Sequence, residues 1–268
     1  MRRWWQGRKS TLSDGLRAEA SGKIMFLKMV ERTDQVWKSQ SLAATYLEGV
    51  RAAIPLALEQ IEVMLRLIAA CGRPVRRVLD LGCGDGVLAA AIVQRVPGAD
   101  VVLADFSEPM LEAARKRFSA GGGLAHFVMA DYGVPSWTER VAEWSPYDAI
   151  VSGLSIHHQP DDRKLAVYRE IFGLLNPGGL FVNIEHVSSP TEWLMSLDHE
   201  LFIDSLHRHH PNQSREEVAR LYYDRPDKDA NILAPLEQQC AWLRDIGFSD
   251  VDCYLKVFEL AVFGGRRP

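Results

Sequence analysis

The chain has 268 residues, 47% of them hydrophobic and 25% charged, with a formal net charge of −4 at pH 7. This length suits one α/β domain with additions, and no apolar run reaches the roughly 18 to 20 residues of a membrane span. The four cysteines, at 71, 83, 240 and 253, lack the paired spacing of a zinc site or a disulfide framework. We therefore expect a cytoplasmic protein without a membrane partner.

A short basic segment opens the chain. Residues 1–28 carry seven Lys or Arg and two acidic residues, a net charge of +5, so the overall charge of −4 leaves −9 for the remainder. We predict that residues 1–28 form a disordered tail or an extension that precedes a start at Met25 or Met29. The alternative is a basic arm for RNA or another acidic partner, although the acidic remainder disfavours a broad nucleic-acid surface.

Residues 29–72 are predicted to form a helical cap. A helical segment over 41–52 leads to Pro55, and a second helix ends at Gly72. The apolar positions that recur at helical spacing in this second helix are Leu58, Ile61, Leu65 and Ile68. Residues 73–186 and 234–268 then alternate between buried strands and helices, which predicts an α/β core.

The first strand of this core ends in a glycine-rich loop. Residues 78–86 read Val-Leu-Asp-Leu-Gly-Cys-Gly-Asp-Gly, and a helix begins near Val87. Alternating glycines let the backbone turn sharply and approach a nucleotide-like ligand at the carboxyl end of a parallel sheet. A dinucleotide site needs Gly-x-Gly-x-x-Gly, and here the third glycine, Gly86, comes one position early. The spacing therefore disfavours a nicotinamide cofactor.

The loop resembles motif I of class I S-adenosylmethionine-dependent methyltransferases, in which an acidic residue, here Asp80, precedes the three glycines. The resemblance implies a three-layer α/β sandwich whose seven-stranded sheet is mostly parallel with an antiparallel last strand. It also implies that S-adenosyl-L-methionine is the cofactor. The motif residues expected to bind it are Asp80, Gly82, Cys83, Gly84, Asp85 and Gly86.

Acidic residues also end the next two predicted strands. The second strand ends in Asp105, whose carboxylate can accept both hydrogen bonds of a ribose diol. Phe106 is expected to stack on an adenine, and Ser107 to cap the next helix. The third strand ends in Asp131, to which the resemblance assigns the adenine amino group. Further cofactor contacts are expected from Met110, Tyr132, Ser152 and Gly153.

The candidate catalytic residues lie at the fourth and fifth predicted strands. Residues 147–152 lead into Gly-Leu-Ser-Ile-His-His, where the family places the sulfonium and the methyl acceptor, and residues 180–186 follow an Asn-Pro-Gly-Gly turn. Transfer from a sulfonium needs positioning rather than a metal, and a base only where the acceptor is a hydroxyl or a protonated amine. His157, His158 and Glu185 are the candidates for that base. The alternative is that the histidines hydrogen-bond the backbone and shape the pocket, and Tyr132 faces the same choice.

Residues 187–233 are predicted to insert a helical lid after the fifth strand. One amphipathic helix runs to about His207, and a second begins at Ser214, where Glu217 completes a capping box. A lid of this kind excludes water and selects the acceptor. Predicted lid or substrate contacts are Tyr46, Arg51, Trp193, Tyr222, Tyr223 and Arg225, whereas His207, His209 and His210 are expected on the solvated surface rather than at a metal.

A narrower resemblance, to the subgroup that includes carboxy-S-adenosylmethionine synthase, rests on Arg51, Pro55, the capping box at Ser214 and the Ala-Val-Phe-Gly-Gly ending at 261–265. We predict methyl transfer to a small-molecule acceptor by in-line displacement, without a metal. One alternative is an enzyme that modifies S-adenosylmethionine itself for the transfer RNA wobble-uridine pathway. The others are a methyltransferase acting on transfer RNA or another macromolecule, and a non-catalytic cofactor-binding module. A homodimer is left open.

Overall fold

The computed structural model describes residues 32–50, 53–119 and 124–268. The basic segment 1–28 and Arg51 lie outside the described residues, so what the sequence predicts for them stays a prediction. Within those described ranges, no helix is both long enough and apolar enough to cross a membrane.

In the part of the chain that the structure describes, seven strands form one sheet in the order β3-β2-β1-β4-β5-β7-β6. The strands are β1 (Arg77–Leu81), β2 (Asp100–Asp105), β3 (Ala125–Met129), β4 (Tyr147–Gly153), β5 (Leu175–His186), β6 (Ser249–Val257) and β7 (Leu260–Arg266). Neighbours from β1 to β5 are parallel, and β7 pairs antiparallel with both β5 and β6. The predicted sheet is confirmed. Its strand order reverses between β1 and β4, and ligand crevices in parallel sheets open at such a point.

Helices cover both faces of the sheet. One layer consists of α2 (Ala57–Ala69), α3 (Val87–Arg95) and α4 (Glu108–Ser119), and the other of α5 (Trp137–Val141), α6 (Asp161–Leu174) and α9 (Leu236–Ile246). Because side chains alternate along a strand, Val78 packs in the core of the first layer while Leu79 and Leu81 pack in the core of the second. The predicted three-layer sandwich is confirmed.

The segment before α2 is less regular than its sequence predicts. It consists of a 3-10 turn over Thr33–Lys38, α1 (Gln40–Thr45) and a wider π-helical turn over Tyr46–Val50. The segment predicted to be helical over 41–52 is helical as far as Val50, and its hydrogen-bond pattern changes from α to π at Tyr46. Gly49, a poor helix former, lies in the wider turn.

The fifth strand begins earlier than predicted. The predicted turn at 176–179 lies inside β5, which starts at Leu175. The pairing of β5 with β4 shifts its register there, between Tyr147 and Ala149 of β4. The chain end holds this irregular stretch in the sheet, since Gly178 N–H donates to Arg267 O (2.7 Å) and Arg267 N–H donates to Gly179 O (2.9 Å). The predicted strand misses this pairing because it depends on residues almost ninety positions away.

Two helices form the insertion after β5. The first, α7 (Glu192–His209), begins at Thr191, whose side chain accepts from Leu194 N–H. The second, α8 (Arg215–Tyr223), begins with the predicted capping box between Ser214 and Glu217. The two helices share a small apolar core with the N-terminal segment, formed by Ala53, Ile203, Leu206, Val218 and Tyr222. Both lid helices thus form as predicted, while the division of the chain into cap, core and lid stays a prediction.

Candidate functional site

A cavity of about 840 Å³ lies beside the glycine loop. Its walls come from the carboxyl ends of the central strands, from the N-terminal segment (residues 32–50), from the start of α2 and from the two lid helices with the turns that follow them. Residues from every one of these regions line it, so parts of the chain that are distant in sequence meet around one space. This volume suits a nucleoside-sized ligand together with a small organic molecule.

Close packing explains two of the loop's glycines. Gly82, Gly84 and Gly86 have φ angles of 65°, 53° and 74°, a region that favours glycine. A Cβ added at Gly82 would lie 2.6 Å from Ser155 Cβ, and one at Gly86 would lie 2.7 Å from Leu103 Cδ2. At Gly84 an added Cβ would meet nothing within 4 Å, and this residue lines the cavity. Its backbone is therefore open to a ligand.

The remaining loop residues hold the loop in place. Asp80 Oδ2 accepts from Ala89 N–H (3.1 Å), which ties β1 to the first turn of α3. Asp85 forms an ion pair with Arg117 of α4. Burial raises the pKa of the Cys83 thiol well above its usual value, so this side chain is a small structural residue and not a thiolate. Asp80, Cys83 and Asp85 all line the cavity.

Asp105 is a buried carboxylate on the cavity wall. Its Oδ2 accepts from Gly84 N–H (2.9 Å) and its Oδ1 from Ser107 N–H (2.8 Å). Burial raises its pKa to about 6, although these backbone hydrogen bonds oppose the shift. An acceptor of this kind at the end of the second strand fits the hydroxyl groups of a ribose. Phe106 and Met110, predicted to contact the cofactor, also line the cavity.

Asp131, predicted to accept from the adenine amino group, is bound to an arginine. Its carboxylate accepts from both terminal nitrogens of Arg32, at 2.9 and 2.8 Å. Among the described residues that line the cavity, Asp131 is not found. Arg32 also binds Asp34, which does line the cavity and is buried. The prediction missed Asp34 because residues 32–38 have no periodic pattern that would mark a binding element.

The N-terminal segment contributes a further polar group that the sequence did not predict. Trp37 lines the cavity, and its indole Nε1–H is buried with no hydrogen-bond partner among the described residues. Its carbonyl accepts from the Ser107 hydroxyl (2.7 Å), so Ser107 fixes this segment through its side chain. The buried indole donor is available to a ligand oxygen, which supports a polar ligand beside Trp37.

Two predicted contacts at the end of β4 differ from each other. Gly153 lines the cavity. Ser152 is fully buried, and its hydroxyl donates to Leu81 O (2.8 Å) in the neighbouring strand. Tyr132 lines the cavity beside them, with its hydroxyl 2.6 Å from Ser155 Oγ. Ser152 therefore joins two strands, while Gly153 and Tyr132 face the ligand space.

The histidine pair lies on the short turn Ile156–His158 that follows β4, and both rings line the cavity. His157 Nδ1 lies 2.6 Å from Glu185 Oε1, and the backbone N–H of His157 donates to Glu185 Oε2 (3.0 Å). His158 Nδ1 lies 3.1 Å from Ala230 O. Because a carbonyl oxygen only accepts, Nδ1 of His158 carries the proton, and Nε2 of the neutral ring is an acceptor.

Burial sets the protonation of this group. It lowers the pKa of His158 to about 3, with a further contribution from the neighbouring His157. It lowers the pKa of His157 well below the usual value, assisted by the positive charge that His186 can carry. Burial also raises the pKa of Glu185 to about 7. Both imidazoles are therefore neutral near pH 7, with an unprotonated ring nitrogen, and burial makes each a weaker base than free imidazole.

The predicted lid contacts divide into two groups. Tyr46, Tyr222 and Arg225 line the cavity. Arg225 lies over the Tyr222 ring, 4.3 Å from its centroid, and pairs with Asp227 at 3.5 Å. The two other predicted contacts lie on the outside of the lid, where 70% of Trp193 and 41% of Tyr223 is exposed.

One histidine expected on the solvated surface lines the cavity instead. His210 follows the last turn of α7, and a Cβ added at Gly49 would lie 3.5 Å from its Nε2. The surface prediction is therefore wrong for His210, because the end of α7 packs against the N-terminal segment. The sequence shows a polar His-x-His-His turn but not the surface that covers it.

Comparison with known proteins identifies a common family. A family model described as a methyltransferase domain matches residues 78–179. A demethylmenaquinone methyltransferase of Thermus thermophilus is 31% identical over 166 residues, 62% of this chain and 66% of that protein. A trans-aconitate 2-methyltransferase of Methylobacterium radiotolerans is 38% identical over 122 residues, 45% of this chain and 42% of that protein. The chain thus spans at most about 66% of the length of these relatives.

A solved structure shares the fold. Human N-acetylserotonin methyltransferase in complex with S-adenosylmethionine aligns with a TM-score of 0.59 and 15% identity, over 90% of this chain and 60% of that one. The narrower resemblance to carboxy-S-adenosylmethionine synthase gains no support from these matches, and Arg51, on which it partly rests, lies outside the described residues. The glycine loop, the confirmed sheet and the matched relatives agree that the chain belongs to the class I S-adenosylmethionine-dependent methyltransferases.

Proposed function

We propose that the protein transfers a methyl group from S-adenosylmethionine to a small organic acceptor. The observation that carries this proposal is one cavity whose wall combines groups that suit a nucleoside with a histidine pair. Gly84 and Asp105 are the first kind, and His157, His158 and residues of the two lid helices line the same cavity. The related proteins are named for two small acceptors, demethylmenaquinone and trans-aconitate, which supports a small molecule here too.

We assign cofactor binding to a few groups on the cavity wall. We assign the ribose hydroxyls to Asp105 and the adenine to the side chains of Phe106 and Met110, all on the cavity wall. The Trp37 indole N–H is a further donor. When bound, the cofactor supplies a methyl group that its sulfonium charge already activates. The protein therefore has to fix the position of the acceptor behind that methyl group.

We assign the role of base to His157. Glu185 holds Nδ1 of this ring at 2.6 Å, so Nε2 is the nitrogen that we assign to take the proton, and the ring also hydrogen-bonds the Asn231 side chain. An acceptor hydroxyl would pass its proton to this nitrogen as the oxygen lone pair attacks the methyl carbon, whereas a protonated amine would lose its proton to it before attack; in both cases the methyl–sulfur bond breaks and S-adenosylhomocysteine leaves. His158 lies beside His157, with ring centroids 4.0 Å apart, and is the second candidate. The alternative is that both rings only shape the pocket. In that case a side chain of similar shape that lacks Nε2 should replace His157 without loss of turnover.

The lid supports an acceptor with an apolar body. The side chains that the two lid helices place on the cavity wall are apolar or aromatic: Phe202, Leu206, Val218, Leu221 and Tyr222. The polar lid residues on the wall, such as Arg225 and Asp227, come from the segments that follow these helices. Apolar walls exclude water from the transferring methyl group and bind apolar molecules without charge pairing. Arg225 is largely occupied by Tyr222 and Asp227, so the lid has less cationic character than its sequence indicates.

The test separates cofactor binding from acceptor choice. Calorimetry with S-adenosylmethionine should show binding to the full chain, and Asp105→Ala should weaken it by about tenfold or more. Turnover to S-adenosylhomocysteine is then measured with a panel of apolar phenols, quinols and carboxylic acids, and separately with transfer RNA. His157→Ala should lower turnover of the best small acceptor, while His126→Ala, a histidine paired with Asp100 at the opposite end of the sheet, should not. Turnover with transfer RNA alone, or conversion of S-adenosylmethionine without an acceptor, would overturn the proposal.

A further inference from the structure

Three residues at the edge of the proposed transfer site, two of them carboxylates that are buried, form a compact cluster. His186 is the last residue of β5, Asp198 lies in the lid helix α7, and Glu259 comes immediately before β7. One nitrogen or oxygen from each lies within 4.8 Å of the others. His186 Nε2 is 3.0 Å from Glu259 Oε2. Residues that are 12 and 61 positions apart therefore meet where the lid joins the sheet.

The cluster concentrates acidic groups in a buried place. Asp198 is 0% exposed and Glu259 is 3% exposed. Asp198 Oδ1 accepts from Glu259 N–H (3.1 Å), and Glu259 Oε1 accepts from Ser189 N–H (3.0 Å). Over the described ranges, neither carboxylate has a Lys or Arg nitrogen within 4.0 Å. Buried carboxylates are normally paired with a cation or bind a metal, because an unpaired buried charge is costly.

A separate observation shows that this cluster has an unused ligand atom. Asp198 Oδ2 is buried and has no hydrogen-bond partner among the described residues. A buried oxygen with its lone pairs unused is rare in native proteins and requires a partner. Since the Oδ1 atom is already occupied by the Glu259 N–H, Oδ2 is the atom left to bind one.

We propose that His186, Asp198 and Glu259 bind one divalent transition-metal ion. An imidazole nitrogen with two carboxylate oxygens is a donor set that suits Mn²⁺ or Zn²⁺, while Mg²⁺ and Ca²⁺ prefer oxygen alone. Both carboxylates are held by neighbouring backbone N–H groups, as metal ligands usually are. The sequence does not show this site, because no two of its ligands fall within one local motif.

The position of the site indicates its role. Asp198 belongs to the lid, and His186 and Glu259 belong to the sheet, so an ion bound by all three would fasten the lid to the core. His186 also lines the cavity, which places this joint at the wall of the ligand space. The role is structural and is compatible with a methyl transfer that itself needs no metal. The inference does not depend on the proposed function.

The experiment measures metal binding directly. The full chain is stripped with a chelator and titrated with Mn²⁺, and free ion is followed by electron paramagnetic resonance, with Zn²⁺ as competitor. We expect one Mn²⁺ per chain, displaced by Zn²⁺, and a rise in Tm on binding. Asp198→Asn and Glu259→Gln should each weaken binding by about tenfold or more. Glu200→Gln, which changes an exposed carboxylate on the same helix, should bind Mn²⁺ as the unmodified chain does.

Several outcomes would overturn the proposal. If the unmodified chain binds neither ion at millimolar concentration, the site is not a metal site and Asp198 Oδ2 carries a proton instead. Equal Mn²⁺ affinity in Asp198→Asn and Glu200→Gln would show that the ion binds elsewhere. Circular dichroism of each variant establishes that it is folded, and His186→Gln replaces Asp198→Asn if the latter is not. A Tm that rises equally with Mn²⁺ in all variants also counts against the site.

Discussion

Glu185 Oε1 lies 2.6 Å from His157 Nδ1, and the same carboxylate accepts from the backbone N–H of both His157 and His186. One buried side chain at the end of β5 therefore fixes the ring that follows β4. Because β4 and β5 are adjacent parallel strands, their carboxyl ends meet at the cavity. This relationship explains why a glutamate 28 positions away determines the orientation of a candidate base.

Replacing Glu185 by Gln should lower kcat more than it changes KM. A glutamine side chain has only one acceptor oxygen, so it cannot accept from both the backbone N–H and the ring of His157 as Glu185 does. The ring of His157 then loses its fixed orientation, while the pocket keeps its shape. A general base contributes roughly 10²-fold to 10⁴-fold, and we expect losses at the lower end of that range for Glu185→Gln and larger losses for His157→Ala. Steady-state kinetics with the best acceptor measures both constants. A change confined to KM would mean that the pair only shapes the pocket.

Asp105 is expected to reduce the stability of the ligand-free protein as the pH rises. Its pKa is about 6 in the folded chain, against an ordinary value of 3.8, so the folded state holds the proton more tightly than the unfolded state. Stability is then lost as the pH rises from about 4 to about 6, by up to about 3 kcal/mol for this shift.

The variant Asp105→Asn removes this titration. Relative to the unmodified chain, its free energy of unfolding should improve between pH 4 and pH 7, by an amount that approaches about 3 kcal/mol. The hydrogen bond that the amide loses to Gly84 or Ser107 changes the absolute value but not this trend. Urea unfolding at several pH values measures it. The same variant should bind S-adenosylmethionine more weakly, and a pH-independent difference in stability would contradict the prediction.

Much of the fold follows from local sequence. The apolar runs, the glycine loop and the capping box at Ser214 each contain their signal within about ten residues, and the strands and helices they predict are present. Asp105 could be predicted on the cavity wall because a residue that ends a parallel strand must lie at the carboxyl edge of the sheet.

What the sequence does not show depends on distant contacts. Asp131 ends a strand as Asp105 does, but Arg32, 99 residues before it, binds its carboxylate. Trp193 has the spacing of a core residue in α7, yet its ring lies outside the lid, because spacing alone does not show which face of a helix is covered. His210 lines the cavity only because α7 ends against the N-terminal segment.

Arg32 links the N-terminal segment to the core, and its removal should weaken cofactor binding. It pairs with Asp131 at the end of β3 and with Asp34 in the N-terminal segment. Asp34 and the nearby Trp37 both line the cavity. The Arg32 side chain is 29% exposed, so we expect Arg32→Ala to cost only about 1 kcal/mol of stability. Loss of order in the segment should raise the Kd for S-adenosylmethionine several-fold and speed proteolysis near residues 32–50.

A matched variant tests whether this effect is specific. Arg115→Ala removes an arginine that is paired with Glu108 on the surface of α4, at 2.6 Å. It should leave both the cofactor Kd and the proteolysis rate unchanged. Equal effects from the two variants would mean that a general loss of positive charge, and not the fixed position of the N-terminal segment, controls cofactor binding.

The two glycines at the start of the loop should respond differently to alanine. Gly82→Ala would drive a Cβ into the Ser155 side chain, which itself hydrogen-bonds Tyr132, so we expect a loss of about 2 kcal/mol or more. Gly84→Ala meets no atom and bears only the strain of its φ of 53°, about 1 kcal/mol. Its methyl group enters the space of the ligand, however, so its cofactor Kd should rise by more than its stability loss explains. Thermal unfolding and calorimetry measure the two quantities, and a Gly84→Ala variant that binds S-adenosylmethionine normally would show that the ligand does not approach the loop there.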